Sequence, residues 1–477
     1  MALSPASLPL SRSSRFAIGL AGLSALLGAL DSSVNIAFPA ITATFALDVT
    51  LIQWVVISYV LTYASLLLGC GRLADVWGHE RVLTWGLAGS TLAFLSCGLA
   101  PNFFWLLAAR VLQGLSAALV LAAAPALVTL AVPAETRGRA LGIFQMSAAI
   151  GFALGPLLGG VLVDTFGWRS VYLFRAAPAL FLTILAARRP RSLHERHEAE
   201  HFDLLGALTL AGSVAGFLFA VSRGRDLGWT SPFVLFLLLA AGLCFGGFVL
   251  TETRTKVPVV DLRLFRHAPF TIANLLNLLA NCAMFAIWLL VPYYIVNVLG
   301  YSAGTGGLLL MTCPLATALA APLAGRLSDR LGTRVLSSLG LSLEAVGLWT
   351  ISLLDAASGS LAVALALGLV GLGLGMFQTP NMSFVMGAIP RAQQGVAGSM
   401  AQMMRTLGVV LGVTGASMLF GGRRVVHAER LQLSEVGDPQ SFMPAFQDVF
   451  LVSAGLGVLA FGLSLLRGSR RQTDDPL

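Results

Sequence analysis

An all-α polytopic membrane protein with fourteen spanning helices is the fold class this chain predicts, and three observations carry the prediction. Of 477 residues, 57% are hydrophobic and 11% charged, with a mean hydropathy of +0.84. A soluble domain carries about 25% charged residues, more than this chain has to cover a wet surface. The apolar residues gather in long runs, and about 20 in a row cross the hydrocarbon core. The cations fall between the runs, mostly in alternate gaps.

The runs lie at about 16–38, 51–71, 82–100, 104–131, 140–163, 171–187, 204–221, 233–251, 269–296, 303–324, 335–354, 361–387, 396–420 and 446–466. The first holds Asp31 and has no small-residue cleavage site after a short apolar core, so it reads as a retained span. The second ends at Gly71, and His79, Glu80 and Arg81 precede the third. The fourth contains Arg110, the fifth a row of glycines, and the sixth Arg175. Charged segments 190–203 and 252–268 bracket the seventh and eighth. The ninth carries three asparagines, the eleventh Glu344 and the thirteenth Arg405. The predicted organisation is a six-helix half (1–189), a linker (190–203), two inserted helices (204–251), a linker (252–268), a second six-helix half (269–466) and a tail (467–477).

Orientation follows from the cations. The net charge of +8 comes from 30 basic and 22 acidic residues, and the only lysine is Lys256. With the N-terminus inside, 21 of the 30 fall in inside segments, 6 in outside loops and 3 (Arg110, Arg175, Arg405) within helices. That bias follows the positive-inside rule and predicts both termini in the cytoplasm of a plasma (inner) membrane protein. It also removes the reason to invoke nucleic acid. A built-in ATP motor is excluded, because a P-loop needs G-K-[ST] and Lys256 follows Thr255. Energy then comes from an ion gradient, the substrate's own gradient or a partner ATPase. The longest loop, about 421–445, is too short for a catalytic domain, which needs about 50 residues. The five cysteines form no C-x-x-C pair and read as packing residues. His194, His197 and His201 can share a helical face, yet a solvated linker explains them as well, and no metal is expected.

The chain contains a repeat. GRLADVWGHERVL at 71–83 matches GRLSDRLGTRVL at 325–336, pairing Gly71, Asp75, Gly78 and Arg81 with Gly325, Asp329, Gly332 and Arg334. Gly138, Ala140, Gln145, Gly151 and Gly155 pair with Gly395, Ala397, Gln402, Gly408 and Gly412. Two similar halves around a midplane site is the architecture of alternating-access transporters.

Charges left inside spans are expensive and so informative. A charged side chain at the bilayer centre costs roughly 2.5–3.5 kcal/mol even on the lenient scale. Asp31 is therefore either a proton-coupling or substrate-coupling group, or a structurally paired carboxylate. Arg110 stays charged and needs a partner or water; it serves either to help a nearby Asp31 release its proton or as half of a structural ion pair. Arg405 has the same two readings, and Glu344 looks like a second proton site. Asp164 reads as interfacial. Gly151, Gly155 and Gly159 recur every fourth residue and form a smooth strip. Pro156 removes a donor and kinks that helix, so the strip serves either as a seal or hinge between halves or as ordinary close packing. Asn274, Asn277 and Asn281 share a face and read as cavity lining, with Gln378 and Asn381 adding polar contacts. Trp54 and Trp288 serve either a flat apolar ligand or the membrane interface.

These residues together resemble the major facilitator superfamily, and within it the fourteen-helix drug:proton antiporter branch of EmrB/QacA type. ALDSSVNIAFPAI (29–41) resembles the branch's first-helix motif, with Ser33 at its threonine position. Gln53, Trp54 and Tyr59 stand at family positions in IQWVVISYVL. The loop motif is present at Gly71, Asp75 and Gly78, with Arg81 alone of its usual basic residues; the second copy has Arg330 and Arg334. RVLQG matches R-x-x-Q-G at Arg110, Gln113 and Gly114. GFALGPLLGG matches the antiporter motif at Gly151, Gly155, Pro156, Gly159 and Gly160. GWTSP (228–232) and VPVVDLRLFR (257–266) resemble segments flanking the eighth helix of the branch.

The resemblance implies that Asp31 and Arg110 couple protons at the central cavity. Asn35, Trp54, Gln113, Asn274, Asn277, Asn281, Gln378 and Asn381 are then expected to line that cavity. Gly71, Asp75, Gly78, Arg81, Gly151, Gly155, Pro156, Gly159, Gly160, Gly325, Asp329 and Arg330 are expected to gate it. It places the Glu344 helix at the periphery, which argues against coupling there. The expected function is proton-coupled export of small amphipathic or cationic compounds, without a cofactor, by a monomer in the bilayer. The alternatives are export of an endogenous metabolite or lipid and, more distantly, a non-transport sensor or intramembrane enzyme. The chain has no output domain and no H-E-x-x-H motif for the last of these.

Overall fold

The computed structural model describes residues 12–133, 136–188, 204–254, 267–387, 394–433 and 438–466. Every regular element among them is helical. The helices are α1 (Arg12–Ala29), α2 (Ser33–Ile36), α3 (Phe38–Phe45), α4 (Gln53–Trp77), α5 (His79–Gly98), α6 (Phe103–Leu130), α7 (Arg137–Phe166) and α8 (Ser170–Ala187). Then come α9 (Leu204–Leu227), α10 (Pro232–Arg254), α11 (Ala268–Tyr293), α12 (Ala303–Leu331), α13 (Thr333–Ser352), α14 (Ser360–Gly387), α15 (Gln394–Arg430) and α16 (Phe442–Leu466).

Twelve helical stretches among the described residues are long and apolar enough to cross a bilayer, fewer than the fourteen expected. The two that fall short are α5 and α9. The first opens on His79, Glu80 and Arg81 and carries glycine, serine and threonine along its length, which dilutes its hydropathy. In α9 the apolar stretch Leu208–Val221 is shorter than a span.

The first predicted span is broken rather than straight. A 3-10 turn at Leu30–Ser32 separates α1 from α2, and Pro39 begins a further segment, α3. Such turns inside a helix mark hinges and functional sites. Asp31 sits on this one.

Helix ends are tied together on two faces. Near the termini, Ser14 donates to Ala131 O, and Arg334 donates to Leu465 O. On the far face, Trp168 donates to Thr44 Oγ1, Arg169 to Ala100 O, Tyr294 to Asp355 O and Gln447 to Leu354 O.

The duplicated segments adopt matching geometry. Gly78 (φ +93°) and Gly332 (φ +87°) each end one helix and begin the next, in backbone that side chains avoid. A Cβ on Gly151 would lie 2.3 Å from Leu26 O, and one on Gly408 would lie 2.4 Å from Leu278 O. Thus α7 lies on α1 as α15 lies on α11.

Buried apolar side chains show how the halves meet. At the far face one cluster joins Ile36, Phe38, Val55 and Tyr172 to Trp288, Leu310, Val413 and Phe446, across both halves. At the termini face the clusters separate. One, with Leu20, Leu83 and Phe144, belongs to the first half alone. Another joins Leu210 and Phe248 of the α9–α10 hairpin to Phe270, Val385 and Met400. Among the described residues, buried apolar clusters therefore join the two halves at the far face, the sealed face, and not at the face that carries the termini, the parted face.

Candidate functional site

The broken first helix presents Asp31 to α6 and α8. On α6, Asn102 caps the start by accepting from Trp105 N, which fixes the register that brings Arg110 and Gln113 onto one face. Arg110 grips Asp31 with both ends of its guanidinium, Nη1 to Oδ1 at 2.8 Å and Nη2 to Oδ2 at 3.0 Å. Such bidentate pairs are among the stronger hydrogen bonds in proteins. Its Nε donates to Val55 O at 2.8 Å, where α4 passes, and its carbon lies 4.4 Å from the centre of the Tyr59 ring. Gln113 completes the ring, donating to Asp31 Oδ1 and accepting from Arg110 Nη1, each at 2.8 Å.

A second cation joins the site. Arg175 of α8 donates from Nη1 to Asp31 Oδ1 at 2.7 Å and from Nε to Val171 O. Its Nη2 is buried without a hydrogen-bond partner among the described residues, and its guanidinium lies 4.5 Å from the Phe94 ring centre. An aromatic face is a favourable seat for a desolvated cation. Two guanidiniums therefore face one carboxylate. Exposure is uneven: Asp31 keeps 13% of its side chain exposed, against 3% for Arg110 and none for Arg175, so the carboxylate is the most accessible group of the cluster. Sequence reasoning paired Asp31 with Arg110 and missed Arg175. The signal was present, an arginine inside an apolar run, but nothing in one sequence says which acid it reaches.

The other predicted cavity residues are placed differently. Asn274 and Asn281 are buried between helices, not in the open space, and donate to Phe270 O and Asn277 O of their own helix. Asn277, half-buried, donates to Ala401 O of α15, and buried Asn381 donates to Ala273 O. The shared face is real, but it ties α11 to α15 and α14, because an amide in apolar surroundings takes the nearest helix carbonyl. Trp54 is turned to the inserted hairpin, edge-on to Phe219 at 5.3 Å with Arg223 5.2 Å from its ring centre. Asn35, one turn beyond Asp31, and Gln378 are half-buried.

Among the remaining intramembrane charges, Glu344 is fully buried, and both its oxygens lack a hydrogen-bond partner among the described residues. It packs at the contact of α13 with α14, where a Cβ on Gly373 would lie 2.4 Å from Glu344 N. Arg405 is exposed on α15, at the parted end.

The predicted gate divides in two. Gly151, Gly155 and Gly159 face α1 within their own half, against Leu26, Ser32 and Ser33, instead of the opposite half. The half-to-half contact falls to the next positions around the helix. A Cβ on Gly160 would lie 2.2 Å from Ala303 O, and one on Gly307 would lie 2.1 Å from Pro156 O. Of the loop motif, Gly71 has open space around it, Gly325 lies beside Thr379, and Arg81 and Arg330 are exposed. The side chains of Asp75 and Asp329 lie outside the described residues, as does the histidine segment 189–203. No group of metal-ligating side chains occurs among the described residues.

Known proteins resemble this chain in sequence and in fold. The chain matches the family model of the Major Facilitator Superfamily over residues 20–413 and 273–476. It is 36% identical over 383 residues to the multidrug resistance protein Stp of Mycobacterium tuberculosis, covering 80% of this chain and 70% of that one. It is 32% identical over 399 residues to the riboflavin transporter RibZ of Clostridioides difficile (82% and 85%), and 29% over 396 residues to the tetracenomycin C resistance and export protein of Streptomyces glaucescens (83% and 74%). In fold it resembles a bacterial homologue of the human lysosomal transporter Spinster, solved inward-facing and unoccupied, with a TM-score of 0.70 at 16% identity over 96% of this chain and 97% of that one. An all-helical fold of two facing halves, a family match along most of the sequence and relatives above 30% identity together establish that this chain belongs to the major facilitator superfamily of membrane transporters.

Proposed function

We propose that the protein is a proton-coupled exporter of small amphipathic or cationic compounds, of the fourteen-span antiporter branch, working by alternating access. The observation that carries this reading is the shared carboxylate. A proton or a cationic group arriving at Asp31 competes with Arg110 and Arg175 for the same two oxygens. Competition for one carboxylate is what exchange requires, because the two ligands then occupy it in turn. The roles of two relatives, multidrug resistance and tetracenomycin C resistance and export, support the substrate class and the direction.

The path of the chain, rather than hydropathy, supports a reading with fourteen crossings. Helix α4 ends at the termini face and α6 starts at the far face, so α5 must carry the chain across. By the same argument α9 must bring it to the far face before α10 returns it. With an even count, both termini share one side, and the cation bias makes that side the cytoplasm of the plasma (inner) membrane. The parted face is then the inner one. A monomer holds both halves and needs no cofactor. The membrane potential alone supplies about 2.3 kcal/mol per charge per 100 mV, roughly a 50-fold gradient.

Efflux of a cationic dye such as ethidium from loaded cells tests the reading. Expression should speed dye loss at least severalfold, and a protonophore should cancel the gain. Protonophore-insensitive efflux would remove the proton. The 32% identity to a riboflavin transporter favours a second reading, carriage of a planar metabolite, and riboflavin in the same assay would reveal it. Glu344 enters the proposal as a second coupling position, and Arg405 as a cation presented to the open side. Glu344→Gln keeps shape and removes the acid. It should leave membrane abundance unchanged and lower efflux less than Asp31→Asn does, and unchanged efflux would exclude coupling at Glu344.

A further inference from the structure

At the sealed face a second carboxylate spans the two halves. Asp164, in the last turns of α7, accepts from Ala303 N through Oδ1 at 2.9 Å and from Gly304 N through Oδ2 at 2.7 Å. Those are the first two amides of α12, which belongs to the opposite half. Ser302 caps the same helix from within its own chain segment by accepting from Thr305 N, so Asp164 adds the two contacts that come from the opposite half. The approach is close on both sides. Gly160 leaves room for Ala303 O, and a Cβ on Gly304 would lie 2.8 Å from Asp164 Oδ2. Across the other seam at this face Ser417 Oγ donates to Thr50 O at 3.1 Å, and Arg424 of α15 feels the charge of Asp48. Asp164 itself is exposed, at the rim of the seal and away from the Asp31 cluster.

From this geometry we infer that Asp164 is the latch of the far-face gate: it holds the start of α12 against α7 while the molecule is open to the termini side. Two features of the clamp suit it to release. Both its bonds cross between the halves, so any separation there breaks both together. A carboxylate at the positive end of a 29-residue helix also gains from the helix dipole, a gain that falls off within one turn. The latch therefore favours the sealed state strongly at contact and hardly at all once the halves part. The inference rests on the alternating-access reading and not on proton coupling or on the identity of the substrate.

Cysteine labelling tests it in the full-length protein in cells. Ile36 is buried at the sealed face and touches the Gly306 position of α12, so it is reached from the far side only when the seal opens. In a background with Cys70, Cys97, Cys244, Cys282 and Cys313 replaced by alanine, Ile36→Cys is treated with a membrane-impermeant maleimide from outside. Asp164→Ala should raise the labelling rate about tenfold, equivalent to about 1.4 kcal/mol in the opening equilibrium. Ala303→Pro provides an independent arm. Proline suits the first position of a helix, Ser302 has the extended backbone (ψ 156°) that precedes proline, and only the amide facing Oδ1 is lost. It should raise labelling by a smaller factor. A mere helix-capping role predicts lower abundance with unchanged labelling. Parent-rate labelling in both variants would overturn the latch, whereas the parent's own rate reports separately whether the far face opens at all.

Discussion

Asp31→Asn should reduce proton-driven efflux to the level of membranes lacking the protein. Asparagine keeps the shape and one acceptor oxygen; with that oxygen at the Oδ1 place, Gln113 and Nη1 of both guanidiniums retain a partner, and Arg110 Nη2 loses its own. The negative charge is lost, and two buried guanidiniums then face a neutral amide. Removing one partner of a buried ion pair costs about 3–5 kcal/mol, which makes lower abundance a second expected effect of the single change. The double variant Asp31→Asn/Arg175→Gln separates the two effects. It restores the original charge balance of the cluster and should recover membrane abundance, while efflux stays at background because no carboxylate remains to be exchanged. Abundance is read by immunoblot of membranes, and efflux by dye loss with and without a protonophore. Normal efflux by either variant at normal abundance would remove Asp31 from the mechanism and leave it a structural counter-ion. The same pair of measurements tests the role of Arg175, for which nothing in the linear order of residues offered an acid.

How much of this was legible beforehand differs by type of residue. Intramembrane charge was the most legible feature, since a charge in hydrocarbon must find a partner and Asp31 and Arg110 were the obvious pair. The third member stayed hidden because residues 31 and 175 are brought together only by the packing of α8 against the broken first helix. The asparagines of α11 illustrate a second limit. Spacing establishes that Asn274, Asn277 and Asn281 share a face, but not whether that face meets water or α15. An amide can be satisfied by a neighbouring helix carbonyl as well as by solvent, and here Ala401 O supplies one. Trp54 fell to the same ambiguity, because the insertion that covers it lies far away in sequence. Only twelve of the fourteen expected spans are apolar enough by themselves among the described residues, for a different reason. Hydropathy measures each helix alone, whereas α5 lies among α6 and α8, where glycine, serine and threonine suit close packing better than they suit lipid. Conformation was not legible at all. That the far face is sealed depends on which buried clusters cross between halves, and no single segment carries that information.

The glycine repeat makes the second large prediction, and it bears on the duplication itself. Gly151→Val and Gly408→Val should each cost most of the correctly folded protein, measured as monodisperse yield in detergent. At both positions the missing Cβ would lie within 2.4 Å of a backbone oxygen on the partner helix. Backbone cannot rotate away as a side-chain tip can, so α7 must withdraw from α1, or α15 from α11. Overpacking costs about 1–3 kcal/mol even where side chains can adjust, and here two long helices must separate along a shared face. Gly142 is the control. It lies on the same helix as Gly151, on the opposite face and nearer the parted end, with no atom within 4 Å of its Cβ position. Gly142→Ala should leave yield unchanged or raise it slightly, because alanine favours a helix by about 0.8–1.0 kcal/mol over glycine. Equal losses at all three positions would mean that glycine is needed along the helix for flexibility. Losses at Gly151 and Gly408 alone would mean that the two halves are assembled by the same contact, inherited twice, and that the glycines are where the copies had least freedom to diverge.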